Sequence, residues 1–198
     1  PVLENNYSPK GWLKYGHLQT IYPSFFRKVN FVFDERQRIT LSDGDFLDLD
    51  WKKDGNDKLI VLCHGLEGSS SSSYILGMSR FFNENGFDVL AINYRSCSGE
   101  MNLNMRFYHH GATDDLHEVM PHCKDYNGVH LMGFSLGGNL VLKYVGEDVF
   151  EKPDNLKSVT AFSVPIDLED CVREIHRAKN QIYVKNFLIT LKKKIKAK

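Results

Sequence analysis

The chain has 198 residues, 42% of them hydrophobic, which is enough for one domain with a sizeable core. Lys plus Arg and Asp plus Glu each number 25, so the formal net charge is zero. That balance argues against a global nucleic-acid footprint and against an acidic disordered chain.

In chain order, VNFVFDE (Val29–Glu35) and FLDLDW (Phe46–Trp51) read as two strands joined across the turn-forming SDGD. KLIVLCH (Lys58–His64) is a continuous apolar run of the kind buried in a parallel sheet. The spacing of Tyr74, Ile75, Met78, Phe81 and Phe82 predicts a helix ending near Gly86, and FDVLAINY (Phe87–Tyr94) is another buried strand. Asp115 to Lys124 reads as a helix opened by an Asp-x-x-Glu capping pattern. GVHLMGF (Gly128–Phe134) is a strand, Leu136 to Val145 a helix, and LKSVTAFSV (Leu156–Val164) the last strand. From Asp167 the pattern is helical, with Tyr183, Phe187, Leu188, Leu191 and Ile195 on one face and five lysines in the last eight residues. Strands alternating with helices predict an α/β fold with a largely parallel sheet after an N-terminal hairpin.

The pentapeptide GFSLG (Gly133–Gly137) carries the chemistry. Ser135 stands where a strand gives way to a helix, between glycines that let backbone pass where side chains would clash. This strand–turn–helix setting is that of a nucleophile elbow; the plainer alternative is a serine N-cap on an ordinary helix. HGLEGSS (His64–Ser70) follows directly on a buried strand. Acyl transfer needs backbone N–H groups aimed at a developing oxyanion. In elbow enzymes one comes from the residue after the nucleophile, here Leu136, and one from the loop after an earlier strand, here Leu66. His64 then orients the loop and is not a general base; alternatively His-Gly marks only a loop with a buried, satisfied histidine.

Taken together, GFSLGGN, HGLEGSS, NYRSCSGEMN (Asn93–Asn102) and FYHHGATDDL (Phe107–Leu116) resemble, in order and spacing, the YheT-like branch of the α/β-hydrolases. That branch includes bacterial hydrolases and eukaryotic abhydrolase-domain lipases. GHLQTIYPSFFR (Gly16–Arg27) and SDGDFLDLDW (Ser42–Trp51) look like its opening segments. The resemblance implies an α/β-hydrolase core over 1–165 and the start of a helical cap over 166–198. It implies a serine hydrolase acting on carboxylic esters, lipid-like ones included, with Ser135 as nucleophile and Leu66 and Leu136 as oxyanion donors. Ser96 stands where relatives often have glycine, and the blocks around Arg95 and His109 are expected to be structural.

The expected order after the nucleophile is acid, then histidine, on loops following two further strands. The resemblance therefore implies that those strands and residues lie beyond Lys198, and that Leu156–Val164 is an exposed apolar edge. After Ser135 the only histidine is His176, with Asp148, Asp154, Asp167, Glu169, Asp170 and Glu174 as acids. Asp170 and Glu174 share a helix with His176, whereas a triad gathers its members from separate loops. His109 and His110 sit on a loop that could approach the site, while His17, His117, His122 and His130 read as core, surface or loop residues. The alternative function is a non-catalytic remnant that binds a lipid surface or a protein partner through the cap helix.

No cofactor or metal is expected. No His, Cys, Asp or Glu group has ligand spacing, and GLEGSS lacks both the third glycine of a dinucleotide motif and the Lys-Ser/Thr of a Walker loop. The start, PVLENNYSPKGW, reads without the regions of a signal peptide, and no apolar run approaches the roughly 18–20 residues of a membrane span. Cys63, Cys97, Cys123 and Cys171 form no CxxC pair. Three of them fall in or beside core elements, so a reduced, cytoplasmic protein is expected. The lysine-rich end is read as a solvated helix C-terminus in preference to a membrane-surface contact.

Overall fold

The computed structural model describes residues 4–9 and 11–198. Positions 1–3 and 10, within the opening stretch read above for a leader, lie outside the described residues. Six strands form one sheet: β1 (Glu35–Thr40), β2 (Phe46–Lys52), β3 (Lys58–Cys63), β4 (Asp88–Asn93), β5 (Gly128–Phe134) and β6 (Leu156–Phe162). Their order across the sheet is β1-β2-β4-β3-β5-β6. The β1–β2 and β2–β4 pairings are antiparallel, and the rest are parallel. The helices are α1 (Gly16–Phe26), α2 (Ser73–Glu84), α3 (Thr113–Val119), α4 (Leu136–Gly146), α5 (Leu168–Ile175) and α6 (Gln181–Ala197).

The continuous apolar runs of β3 and β4 are explained by burial on both faces. Leu59 to Cys63 and Val89 to Ile92 are all buried, half facing a cluster with Trp51, Leu140 and Tyr144, half facing one with Ile75 and Met132. At about 1.5–3 kcal/mol per buried Leu, Ile or Val side chain, these two strands dominate the packing that fixes the sheet. Their parallel register aligns Cys63 with both Ile92 and Gly133. The loops leaving β3, β4 and β5 therefore emerge side by side at one edge of the domain.

Three elements differ from the sequence expectation. The first strand is not Val29–Glu35 but Glu35–Thr40. Val29–Asp34 has the right apolar alternation, yet the ladder goes to a polar segment. Arg36 lies in register opposite Asp50, and Arg38 opposite Asp48. Each guanidinium grips its carboxylate through two hydrogen bonds of 2.6–2.9 Å. The helix expected from Asp115 starts earlier, at Thr113, and turns 3-10 over Met120–Cys123. Asp115 does not cap it, because its carboxylate is committed to Arg95. On α6 the inward face is Val184, Phe187, Leu191, Lys194 and Lys198, whereas Leu188 and Ile195 are exposed.

Helix α1 carries Pro23 in its interior and exposes Leu18, Tyr22, Phe25 and Phe26, and no sequence signal had marked it as a helix. Strand β6 pairs with β5 alone among the described residues; its Val159 and Ala161 pack on the core while Phe162 stays half-exposed against Phe134. Among the described residues no helix is long and apolar enough to cross a membrane. Cys63, Cys97 and Cys123 are buried free thiols, and Cys171 is exposed.

Candidate active site

Strand β5 ends at Phe134 and α4 begins at Leu136, leaving Ser135 as the single residue of the turn. Its backbone sits at φ 51° and ψ −115°, a left-handed conformation that an L-residue with a side chain adopts only under strain. The turn closes because both flanking glycines lack a side chain. A Cβ on Gly133 would stand 2.2 Å from the Gly137 carbonyl oxygen, and one on Gly137 would stand 2.3 Å from the Cys63 oxygen. Helix α4 is thereby pressed against β5 and the end of β3.

Ser135 is exposed, and its hydroxyl makes no hydrogen bond among the described residues. The Leu136 N–H, at the open N-terminus of α4, likewise donates to nothing among them. The loop after β3 lies directly beside this turn: a Cβ on Gly65 would be 3.4 Å from Ser135 Cβ and 3.3 Å from the Phe134 oxygen. In that loop the half-buried Leu66 has the one N–H between Gly65 and Gly68 without an acceptor. Gly65 donates to the Tyr74 hydroxyl (2.9 Å), Glu67 to the Tyr108 hydroxyl (2.7 Å) and Gly68 to the Gly65 carbonyl (3.0 Å). Ser135, Leu136 and the Gly65–Leu66 loop thus lie at one end of the sheet, and among the described residues the Ser135 hydroxyl and the Leu66 and Leu136 amides have no partner.

His64 is fully buried behind the loop. Its Nδ1 bonds the Gly65 carbonyl at 2.7 Å and its Nε2 accepts from the Tyr94 N–H at 3.3 Å, a pairing that assigns the proton to Nδ1. Burial, only partly opposed by the Gly65 carbonyl, pushes its pKa down to about 4, so it is a neutral brace with no nitrogen left over for Ser135.

Among the described residues no other histidine bonds Ser135. His176, exposed at the end of α5, bonds its own helix at the Val172 carbonyl. His17 meets Tyr183, His117 Tyr144, His122 Gln37 and His130 Ser158. His109 accepts from the Gly111 N–H and lines a small cavity with Leu136 and Leu140; His110 is half-buried beside it. Among the described residues no imidazole and no carboxylate bonds the Ser135 hydroxyl.

Arg95 has no task that its place in the sequence reveals. It is 1% exposed and saturated: Nε and one terminal nitrogen grip Asp115 at 2.8 and 2.7 Å, while the other bonds Asp43 (2.7 Å) and Asp45 (3.1 Å). Burial would raise the Asp45 carboxyl, but hydrogen bonds from Asn102 and from the Leu103, Phe46 and Asn104 amides hold it below the usual carboxylate range. Beside it Ser96 adopts φ 61°, a backbone conformation that favours glycine. The ion cluster locks the turn between β1 and β2 to the loop after β4, next to the candidate site.

A family model described as alpha/beta hydrolase fold matches residues 58–180. The Escherichia coli (strain K12) protein YheT is 31% identical over 183 residues, covering 89% of this chain and 53% of YheT. The human phospholipase ABHD3 is 30% identical over 202 residues, covering 96% of this chain and 49% of that protein. Among solved structures, the Pyrococcus furiosus esterase PF2001 superposes with a TM-score of 0.63 at 22% identity, covering 81% of this chain and 64% of that one. The chain spans about half the length of the curated relatives it matches.

Proposed function

We propose, from the premise that this chain belongs to the alpha/beta hydrolase fold family, that it carries the nucleophile half of a serine hydrolase acting on carboxylic esters. The observation that carries this reading is the strained, exposed Ser135 flanked by two N–H groups without acceptors. Buried or half-buried amides are nearly always paired, so two unpaired ones, at Leu136 and in the loop beside Ser135, fit a site kept open for an incoming oxygen.

In this mechanism Ser135 Oγ attacks the ester carbonyl carbon. The carbonyl oxygen becomes an oxyanion held by the Leu66 and Leu136 N–H groups, and collapse expels the alcohol and leaves an acyl-serine for water to cleave. A base must take the Ser135 proton, and an acid must orient that base. In this fold both follow the nucleophile in chain order, and the described residues around Ser135 include neither. Relatives named phospholipase and esterase support esters, lipid-like ones included, as the substrate class.

The test is hydrolysis of a short-chain p-nitrophenyl ester with Ser135→Ala as control. The residual catalysis of about 10³–10⁴-fold over water comes from the oxyanion donors and binding and persists without the serine, so the discriminating arm is imidazole: with the imidazole-only hydrolysis subtracted, it should raise the rate of the native chain and not that of Ser135→Ala. Equal rates for the native chain and Ser135→Ala, with and without imidazole, would remove the proposal.

A further inference from the structure

The Leu66 N–H of the proposed mechanism needs something to aim it, and Tyr108, in the segment FYHHGATDDL, supplies an answer. A backbone amide in a loop has its direction set by the two peptides around it. Here the residue after Leu66 is Glu67, at φ 55°, a left-handed conformation that costs an L-residue about 1–2 kcal/mol unless its surroundings hold it.

What holds it is a closed pair of hydrogen bonds. The Glu67 N–H donates to the Tyr108 hydroxyl at 2.7 Å, and that hydroxyl donates back to Glu67 Oε1 at 2.7 Å. Tyr108 is itself fixed, 8% exposed and stacked on Tyr94 with ring centroids 5.4 Å apart. Lys194, from α6, donates to the same Glu67 oxygen at 2.8 Å. The Glu67 side chain is 6% exposed, so the pair is shielded from water. Burial works against its charge, yet the bonds from Lys194 and Tyr108 keep its carboxyl below the usual range, and it is an anion at neutral pH. Burial holds the Tyr108 hydroxyl protonated, as the donor role requires.

We infer that Tyr108 and Glu67 are positioning residues for the oxyanion site: they fix the Leu66–Glu67 peptide, which directly follows the Gly65–Leu66 peptide carrying the Leu66 N–H, and so aim that N–H at the Ser135 turn, with Lys194 tying α6 to the same clamp. This inference rests on the proposed hydrolase reading. Neither side chain touches the reacting atoms; both act through the backbone they hold.

The experiment is Tyr108→Phe, which removes one oxygen and keeps the ring, read in two ways on the full chain. Residual dipolar couplings of the Leu66 and Glu67 N–H vectors report peptide orientation without needing activity. The rate of Ser135 labelling by a fluorophosphonate, per folded molecule, reports the site. Loss of a whole oxyanion donor costs about 10²–10³-fold, so a misdirected one should slow labelling roughly tenfold or more. Glu67→Gln, which keeps an acceptor for Tyr108, should stay near the native rate, and Glu67→Ala should fall with Tyr108→Phe and substitutes for it if that variant does not fold.

Couplings that do not move would overturn the inference whatever the labelling does. So would couplings that move while labelling stays at the native rate. If the native chain takes no label but the couplings move, the hydrolase reading fails while the clamp on Leu66 stands.

Discussion

Three serines follow parallel strands of this sheet at positive φ, Ser96 after β4 at 61°, Ser135 after β5 at 51° and Ser163 after β6 at 53°, and the first two stand in contrasting surroundings. Ser96 itself has partners for both its N–H and its hydroxyl. Its N–H donates to the Asn102 side chain, its hydroxyl accepts from the Asn102 N–H at 3.2 Å, and the adjacent Arg95 is surrounded by Asp43, Asp45 and Asp115. At Ser135, among the described residues, the hydroxyl and the Leu66 and Leu136 amides have no partner. Strain is common to both turns, so strain alone does not mark a site. The difference lies in saturation: one turn spends its polar groups on holding loops together, and the other keeps them free for a ligand.

Breaking the saturated turn should cost stability and little else. Arg95→Met strands three carboxylates, and removing one partner of a buried ion cluster typically costs about 3–5 kcal/mol. Urea denaturation should show a loss of that size, with Ser135 labelling per folded molecule unchanged. A slowed label at full stability would show that the cluster belongs to the chemistry.

Acid should expose the brace behind the open turn. His64 binds a proton near 6.5 when unfolded and only near 4 when folded. Because the folded value is depressed, its contribution is complete above pH 6.5 and is lost as pH falls toward 4. The difference of about 2.5 units at about 1.36 kcal/mol each sets an upper bound near 3 kcal/mol. Below that range the depressed carboxyls of Asp43, Asp45, Asp48 and Asp50 add a second loss, beginning near their unfolded value of 3.8. A urea midpoint that stays flat from pH 7 to pH 5 would contradict the buried, neutral imidazole.

The smallest stability effect should fall on the open turn itself. Gly137→Ala forces a Cβ to 2.3 Å from the Cys63 oxygen, and overpacking of this kind costs about 1–3 kcal/mol. Because the shift moves α4 relative to Leu66, labelling of Ser135 should fall by more than the stability loss explains. Labelling at the native rate would mean that the close approach is not needed.

How far these features could be read in the sequence follows from their range. GFSLG is local: five consecutive residues and the apolar run before them specify the turn. The alternation of buried strands with helices, from Lys58 to Phe162, was equally legible, because burial on both faces leaves near-continuous apolar runs. The ion clusters were not. Arg95 draws on Asp43, Asp45 and Asp115, and nothing in their spacing says that they meet. The same blindness displaced β1, where Arg36 and Arg38 find carboxylates across the ladder and outweigh the more apolar Val29–Asp34. On α6 the apolar period pointed at Leu188 and Ile195, but Lys194 and Lys198 turn inward to reach Glu67 and the Asn102 and Asn104 carbonyls. The expected solvated end of the helix is therefore partly docked on the core.

The central claim is that Ser135 is a nucleophile beside a formed oxyanion site. It is tested most directly by incubating the purified chain with a fluorophosphonate and mapping the adduct by peptide mass. With imidazole added as the base that the described residues do not supply, the account predicts one adduct, on Ser135, abolished in Ser135→Ala. No adduct on Ser135, or the same adduct in Ser135→Ala, would contradict it.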